Sequence, residues 1–129
     1  MRTVFISLLL FFIFSGCQKS DDGCSQYQPG NISGVRYMGT SSEAADQDGA
    51  FFDLSCVMPS SCTAINKVYE SREGNVVKVG VETVYNKCAV CPEVPVTQTK
   101  TYVFVPRGAG TYYIKWQGLP DRVDTVVIR

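Results

Sequence analysis

The sequence predicts an all-β domain of the sandwich class, and three observations carry that expectation. Seven short runs rich in Val, Tyr, Ile and Thr recur between residue 32 and the C-terminus, each bounded by turn residues. No stretch of useful length in the same region shows a helical period. Removing an apolar leader of 16 residues from the 129 leaves 113, enough for one hydrophobic core. A small closed β-barrel is the architectural alternative.

The predicted strands follow in order. Ile32–Met38 is the first, and a polar loop, Gly39–Gly49, leads to the second, Ala50–Met58. Thr63–Glu70 and Asn75–Asn86 read as a hairpin closed by Ser71-Arg72-Glu73-Gly74. In its second arm Val77, Val79, Val81 and Tyr85 alternate with Lys78, Gly80 and Glu82, the pattern of a sheet with one wet face. After the loop Lys87–Thr97, Gln98–Val105 is the fifth strand. Thr111–Gln117 is the sixth, with Tyr112, Ile114 and Trp116 on the core side and Tyr113 outward. The turn Gly118-Leu119-Pro120-Asp121 then opens the seventh, Val123–Ile128.

The start of the chain has a different character. Arg2 is followed by an apolar run from Val4 to Phe14, broken only by Ser7, and then by Ser15, Gly16 and Cys17. A basic start, a short apolar core and small residues before a cut site are the parts of a secretory signal. The run falls short of the ~20 residues that span a bilayer. Phe14-Ser15-Gly16-Cys17 resembles the lipobox of bacterial lipoproteins, with Phe14 where Leu is usual. The resemblance implies a signal peptide at 1–16, cleavage before Cys17, acylation of its thiol, and attachment to the membrane through that lipid. Lys19, Asp21 and Asp22 follow in a segment similar to the lipoprotein export signal of Bacteroidota. That similarity implies an outer-membrane protein displayed on the cell surface, with the periplasmic face as alternative. Residues 17–31, rich in Ser, Asp, Gly and Gln, read as a flexible lipidated tether, and 32–129 as the folded domain.

Near the other end, Gly110-Thr111-Tyr112 resembles the Gly-x-Tyr corner of immunoglobulin-like and fibronectin-III-like sandwiches. It implies an immunoglobulin-like sandwich in which the Tyr112 hydroxyl bonds back to the backbone and locks a crossing between sheets. The Cys-Trp-Cys spacing of antibody domains is absent.

Cys17 apart, five cysteines remain: Cys24, Cys56, Cys62, Cys88 and Cys91. In an exported chain thiols pair, so two disulfides and one leftover are expected. Cys24 lies in the tether and is the expected free thiol, available for a disulfide to a second molecule. Cys56, Cys62, Cys88 and Cys91 are then the disulfide candidates, with Cys62 joined to Cys88 or Cys91 and Cys56 taking the remaining partner. Two other chemistries compete for the same four residues. Cys88-Ala89-Val90-Cys91 has the C-x-x-C spacing of thiol oxidoreductases, but without the helix start that lowers the first thiol's pKa. A four-cysteine zinc site has one suitable spacing and one poor one.

The composition excludes whole classes of function. With no histidine, Ser-His-Asp, Cys-His and His-Glu-x-x-His chemistries are absent. Loss of Arg2 with the signal leaves 11 basic against 12 acidic residues, without the basic excess that nucleic acid requires. Asp46, Asp48 and Asp53 form only part of a calcium loop, since Ser55 stands near where a bidentate Glu is needed, so no metal or cofactor is expected. The sequence therefore reads as a non-catalytic surface module for an unidentified protein or glycan, or an assembly subunit. Its recognition loops are expected at Gly39–Gly49 and Lys87–Thr97. The alternatives are a hydrolase inhibitor inserting the loop Cys88–Pro95, and an oxidoreductase acting through Cys88 and Cys91.

Overall fold

The computed structural model describes residues 23–41 and 49–129. Eight strands are present: β1 (Ser25–Gly30), β2 (Gly34–Ser41), β3 (Gly49–Met58), β4 (Thr63–Glu73), β5 (Val76–Asn86), β6 (Val96–Phe104), β7 (Gly110–Trp116) and β8 (Leu119–Ile128). They form two separate sheets rather than a closed barrel. One is β2-β3-β6, antiparallel throughout. The other is built on β5, whose one edge carries β4 along its whole length. The opposite edge is divided. Val76–Val79 pair with β7 in parallel, and Val81–Asn86 pair with β1 antiparallel. β8 flanks β7.

Gln117 splices the two half-length strands on that divided edge. Its N–H donates to Val79 O (2.9 Å), its carbonyl accepts from Ile32 N (2.9 Å), and its side-chain Nε2 donates to Gly30 O (2.9 Å). The next residue is Gly118, at φ +97°. A Cβ there would sit 2.7 Å from Ile32 O and 2.9 Å from Ile32 N, so both conformation and space require glycine.

Alternating residues of the two inner faces make the core: Phe52, Leu54, Cys56, Tyr102 and Phe104 against Val77, Val79, Val81, Tyr112, Ile114 and Trp116. Trp116 meets Phe52 edge-on at 5.0 Å and Tyr102 at 6.1 Å, which joins the sheets through aromatic contacts. Its indole N–H donates to Asp124 Oδ2 (2.6 Å), and Arg122 Nε donates to the same oxygen (2.8 Å). Burial pushes the Asp124 carboxyl up, but the bonds from Arg122 and Trp116 outweigh it and hold the group below its ordinary value. Such a group adds stability above an unfolded pKa of about 3.9, and the contribution fades as pH falls through the folded value. Asp124→Asn is expected to cost about 1 kcal/mol at neutral pH, and urea midpoints of variant and parent should converge towards pH 2.

Several boundaries differ from expectation, each for a local reason. Ser25–Gly30 belongs to a strand, not to the tether. It is polar and mostly exposed, and the backbone ladder to β5 holds it. The β4–β5 turn is Gly74-Asn75, with Arg72 and Glu73 still in β4. Arg72 stays in the strand because its guanidinium lies 5.0 Å over the Phe104 ring and donates to Val105 O (2.8 Å). Tyr85 continues the alternation of β5 but is exposed, since it lies beyond the core near the sheet's end. β8 begins at Leu119 and takes up Pro120 through a bulge, which an edge strand tolerates.

Candidate functional site

Of the residues singled out in the sequence, Cys17, Lys19, Asp21, Asp22, Asp46 and Asp48 lie outside the described residues. The cysteines that are described pair differently from expectation. Cys24 is bonded to Cys88 and Cys62 to Cys91, with Cα separations of 5.2 and 5.7 Å. Cys24 is therefore not the free thiol; Cys56 is. Cys56 is an inward residue of β3 with no exposed surface, and burial pushes its thiol up. It packs as a small apolar side chain, and no disulfide candidate reaches it. The assignment of Cys24 to a tether hid the pairing, because β1 brings Ser25 alongside Asn86, two residues before Cys88.

These bonds staple one end of the sandwich. Cys88 and Cys91 do not pair with each other, and each ties the 87–95 segment to a different part of the chain. With both in disulfides, along with Cys62, the four-cysteine zinc set is not assembled. Val90, between the two bonded cysteines, is 102% exposed. The described ends of the two expected recognition loops lie far apart. Met58 of β3 pairs with Val96, beside the staple, while Gly49 at the other end of β3 pairs with Ser41. Ten residues of strand measure roughly 33 Å, so Ser41 and Gly49 stand at the opposite end from 87–95.

The Tyr112 hydroxyl donates to Gly108 O (2.8 Å), and its ring packs 5.0 Å from Phe104. The contact fixes the 105–109 connection as the chain passes from the three-stranded sheet to β7.

Two concavities remain. A cleft of about 460 Å³ lies between the edges of β4 and β6. Its carboxylate, Glu70, is fully engaged: Arg72 Nε donates to Oε1 (2.7 Å) and the Tyr102 hydroxyl donates to Oε2. Burial and the adjacent Glu70 carboxylate push the Tyr102 phenol far above its ordinary value. Asp53, a residue of the partial calcium pattern, accepts from Arg36 (3.0 Å) and Thr101 (2.9 Å) on the outer face of the three-stranded sheet. The Arg36 and Thr101 hydrogen bonds hold its carboxyl below the usual range. Each of these carboxylates bridges neighbouring strands.

The second concavity is a groove of about 370 Å³ on the outer face of the five-stranded sheet. Tyr69 of β4 stands opposite Gly80 of β5, and its ring end lies over the glycine; a Cβ at position 80 would be 2.6 Å from Tyr69 Cζ. Its hydroxyl donates to Gln117 Oε1 (2.6 Å). Lys78 and Lys115 face each other across β5 and β7, with Ser71, Leu119 and Pro120 completing the walls. The sequence reading placed Lys78 and Gly80 on the wet face but missed the groove, which needs the parallel pairing of β7 against β5.

The model of the ORF11 beta-sandwich domain matches residues 52–128, more than half of the chain. The chain belongs to this family. The match covers most of β3 and all but the ends of β4 to β8, and so most of the core and both concavities; β1, β2 and Cys24 lie outside it. No curated protein and no solved structure matches the chain.

Proposed function

We propose that this protein is a lipid-anchored exported lipoprotein of the outer membrane, displayed on the cell surface, whose sandwich is a non-catalytic binding module. The observation that carries the reading is the Cys24–Cys88 bond, which secures the domain only seven residues behind Cys17. Disulfides belong to oxidising, extracytoplasmic compartments. A seven-residue link reaches at most ~25 Å, which holds the stapled end near the membrane and leaves the opposite end and the outer sheet faces towards ligand. The engagement of Glu70, Asp53 and Asp124 in ion pairs with Arg72, Arg36 and Arg122 supports scaffold roles for these acids rather than acid–base work.

Growth with an alkynyl fatty acid tests the anchor. The parent chain is expected to take up label and sediment with membranes, and Cys17→Ala to lose both. An unlabelled parent, or label that persists in the variant, would sink the proposal. Protease treatment of intact cells tests display: cleavage is expected for the parent, and protection when Lys19, Asp21 and Asp22 are all replaced by Ala.

One observation favours the inhibitor as second reading: Val90 projects from a loop held by two disulfides, a preorganised shape. A target enzyme would, however, have to enter beside the anchored end. The oxidoreductase reading ranks lower, because redox cycling between Cys88 and Cys91 would first require both staples to open.

A further inference from the structure

We infer that the groove over Gly80 binds an acidic saccharide, with a pyranose ring laid on Tyr69 and its carboxylate or sulfate held between Lys78 and Lys115. The aromatic wall comes first. With its ring end over Gly80 and its hydroxyl tied to Gln117 Oε1 at 2.6 Å, Tyr69 is immobilised before any ligand arrives. The far end of the ring rests on the sheet, yet the residue remains 41% exposed. A fixed, half-open aromatic face is suited to the apolar C–H face of a sugar, and it costs little ordering on binding.

The second observation is charge. Lys78 and Lys115 are direct partners across the parallel β5–β7 pair, and like charges so placed repel. Lys78 has only a loose ion pair with Glu73 (3.7 Å), and Lys115 makes none among the described residues. No carboxylate lines the groove. An anionic group entering between the ammonium groups relieves the repulsion, so that electrostatic cost becomes binding free energy.

Shape decides between ligand classes. The groove is open along the sheet, and its apolar part (Tyr69, Leu119 and Pro120) stands beside its cationic part. A ring with one hydrophobic face and a charged substituent meets both. A lipid phosphate would use the lysines and leave the aromatic wall without a partner. The inference rests on the binding-module reading but not on the lipid anchor.

The test is titration of the full chain in detergent micelles with oligogalacturonate, its neutral methyl ester, sulfated dextran oligosaccharide and plain dextran. One or both acidic sugars are expected to bind, with the neutral counterparts at least tenfold weaker; which acid binds identifies carboxylate or sulfate. Lys78→Gln and Lys115→Gln are each expected to weaken binding about tenfold. Tyr69→Ala should abolish it, while Tyr69→Phe, which keeps the ring, should retain most of it. The lysine substitutions lie on the surface, and thermal unfolding should confirm that they fold. Equal binding of acidic and neutral sugars, acidic binding indifferent to both lysines, or no sugar binding would overturn the inference. So would lysine-dependent binding to phosphatidylglycerol vesicles in place of sugars. Loss of sugar binding alongside intact fatty-acid labelling would fail this site and leave the anchor standing. The converse would fail the anchor alone.

Discussion

Phe52→Ala is expected to lower the free energy of unfolding by about 3–5 kcal/mol. Phe52 is 1% exposed and stands between the sheets, with ring centroids 5.0 Å from Trp116, 6.4 Å from Tyr102 and 5.3 Å from Tyr37. Alanine removes the lost ring's transfer free energy and its dispersion contacts, and it opens a void that three large rings cannot readily collapse to fill. Small domains commonly hold only about 5–15 kcal/mol in total, so the variant would keep a minor share of its stability. The midpoint of thermal unfolding should fall by on the order of 15–25 °C. Trp116, the single tryptophan, is a direct probe of the site, because its fluorescence reports the environment that Phe52 creates. Tyr113→Ala, on the outward side of the same β7, is the control and should change stability by no more than about 0.5 kcal/mol. A loss below about 1 kcal/mol for Phe52→Ala would mean that the aromatic cluster does not hold the sheets together.

Opening the staple should come close to the same scale. The chain-entropy relation gives about 4 kcal/mol for Cys24–Cys88, whose partners are 64 positions apart, and about 3.5 kcal/mol for Cys62–Cys91, 29 apart. The two closed segments overlap between residues 62 and 88, so removing both is expected to cost less than the sum. Guanidinium unfolding of Cys24→Ser/Cys88→Ser, of Cys62→Ser/Cys91→Ser and of all four together measures each term and their coupling. Alkylation followed by intact mass checks the pairing itself. In native buffer no thiol of residues 24–129 should react, and in denaturant without reductant one should, at Cys56. A reactive Cys24, or an adduct count of three, would refute the pairing.

The parts of the fold legible in the sequence are those where burial writes a period. In β7, Tyr112, Ile114 and Trp116 alternate with Tyr113 and Lys115, and the sequence assigned both faces as the structure has them. In β5 the same holds for Val77, Val79 and Val81. β1 was illegible because a strand paired through its backbone and exposed on most positions leaves no hydrophobic alternation; Gln26, Gln28 and Pro29 look the same in a linker. The free cysteine was misplaced for a related reason. Cysteine count alone makes Cys56 one thiol among four, although its neighbours Phe52, Leu54 and Met58 mark the same inward face of β3. That alternation was available and would have found it. The groove over Gly80 was beyond reach, since Lys78 and Lys115 lie far apart in the chain and meet only through a parallel pairing that no local pattern encodes.

The position of the Cys24–Cys88 bond also sets how the anchored molecule bears mechanical load. A drag on a surface-bound ligand is balanced by the lipid, so tension enters the domain at Cys24. Without the bond, that tension would draw on β1 first and peel Ser25–Gly30 away from β5, one pair of backbone hydrogen bonds after another. With it, tension crosses the sulfur bridge to Cys88 and passes back two residues along the chain into Asn86, the end of β5, on which the five-stranded sheet is built. The force path runs along covalent bonds until it reaches the middle of the sheet, and β1 remains slack. Under tension a strand with no buried side chain is thus the one relieved of load, and under shear the sandwich yields by breaking whole ladders together rather than by unzipping from its end.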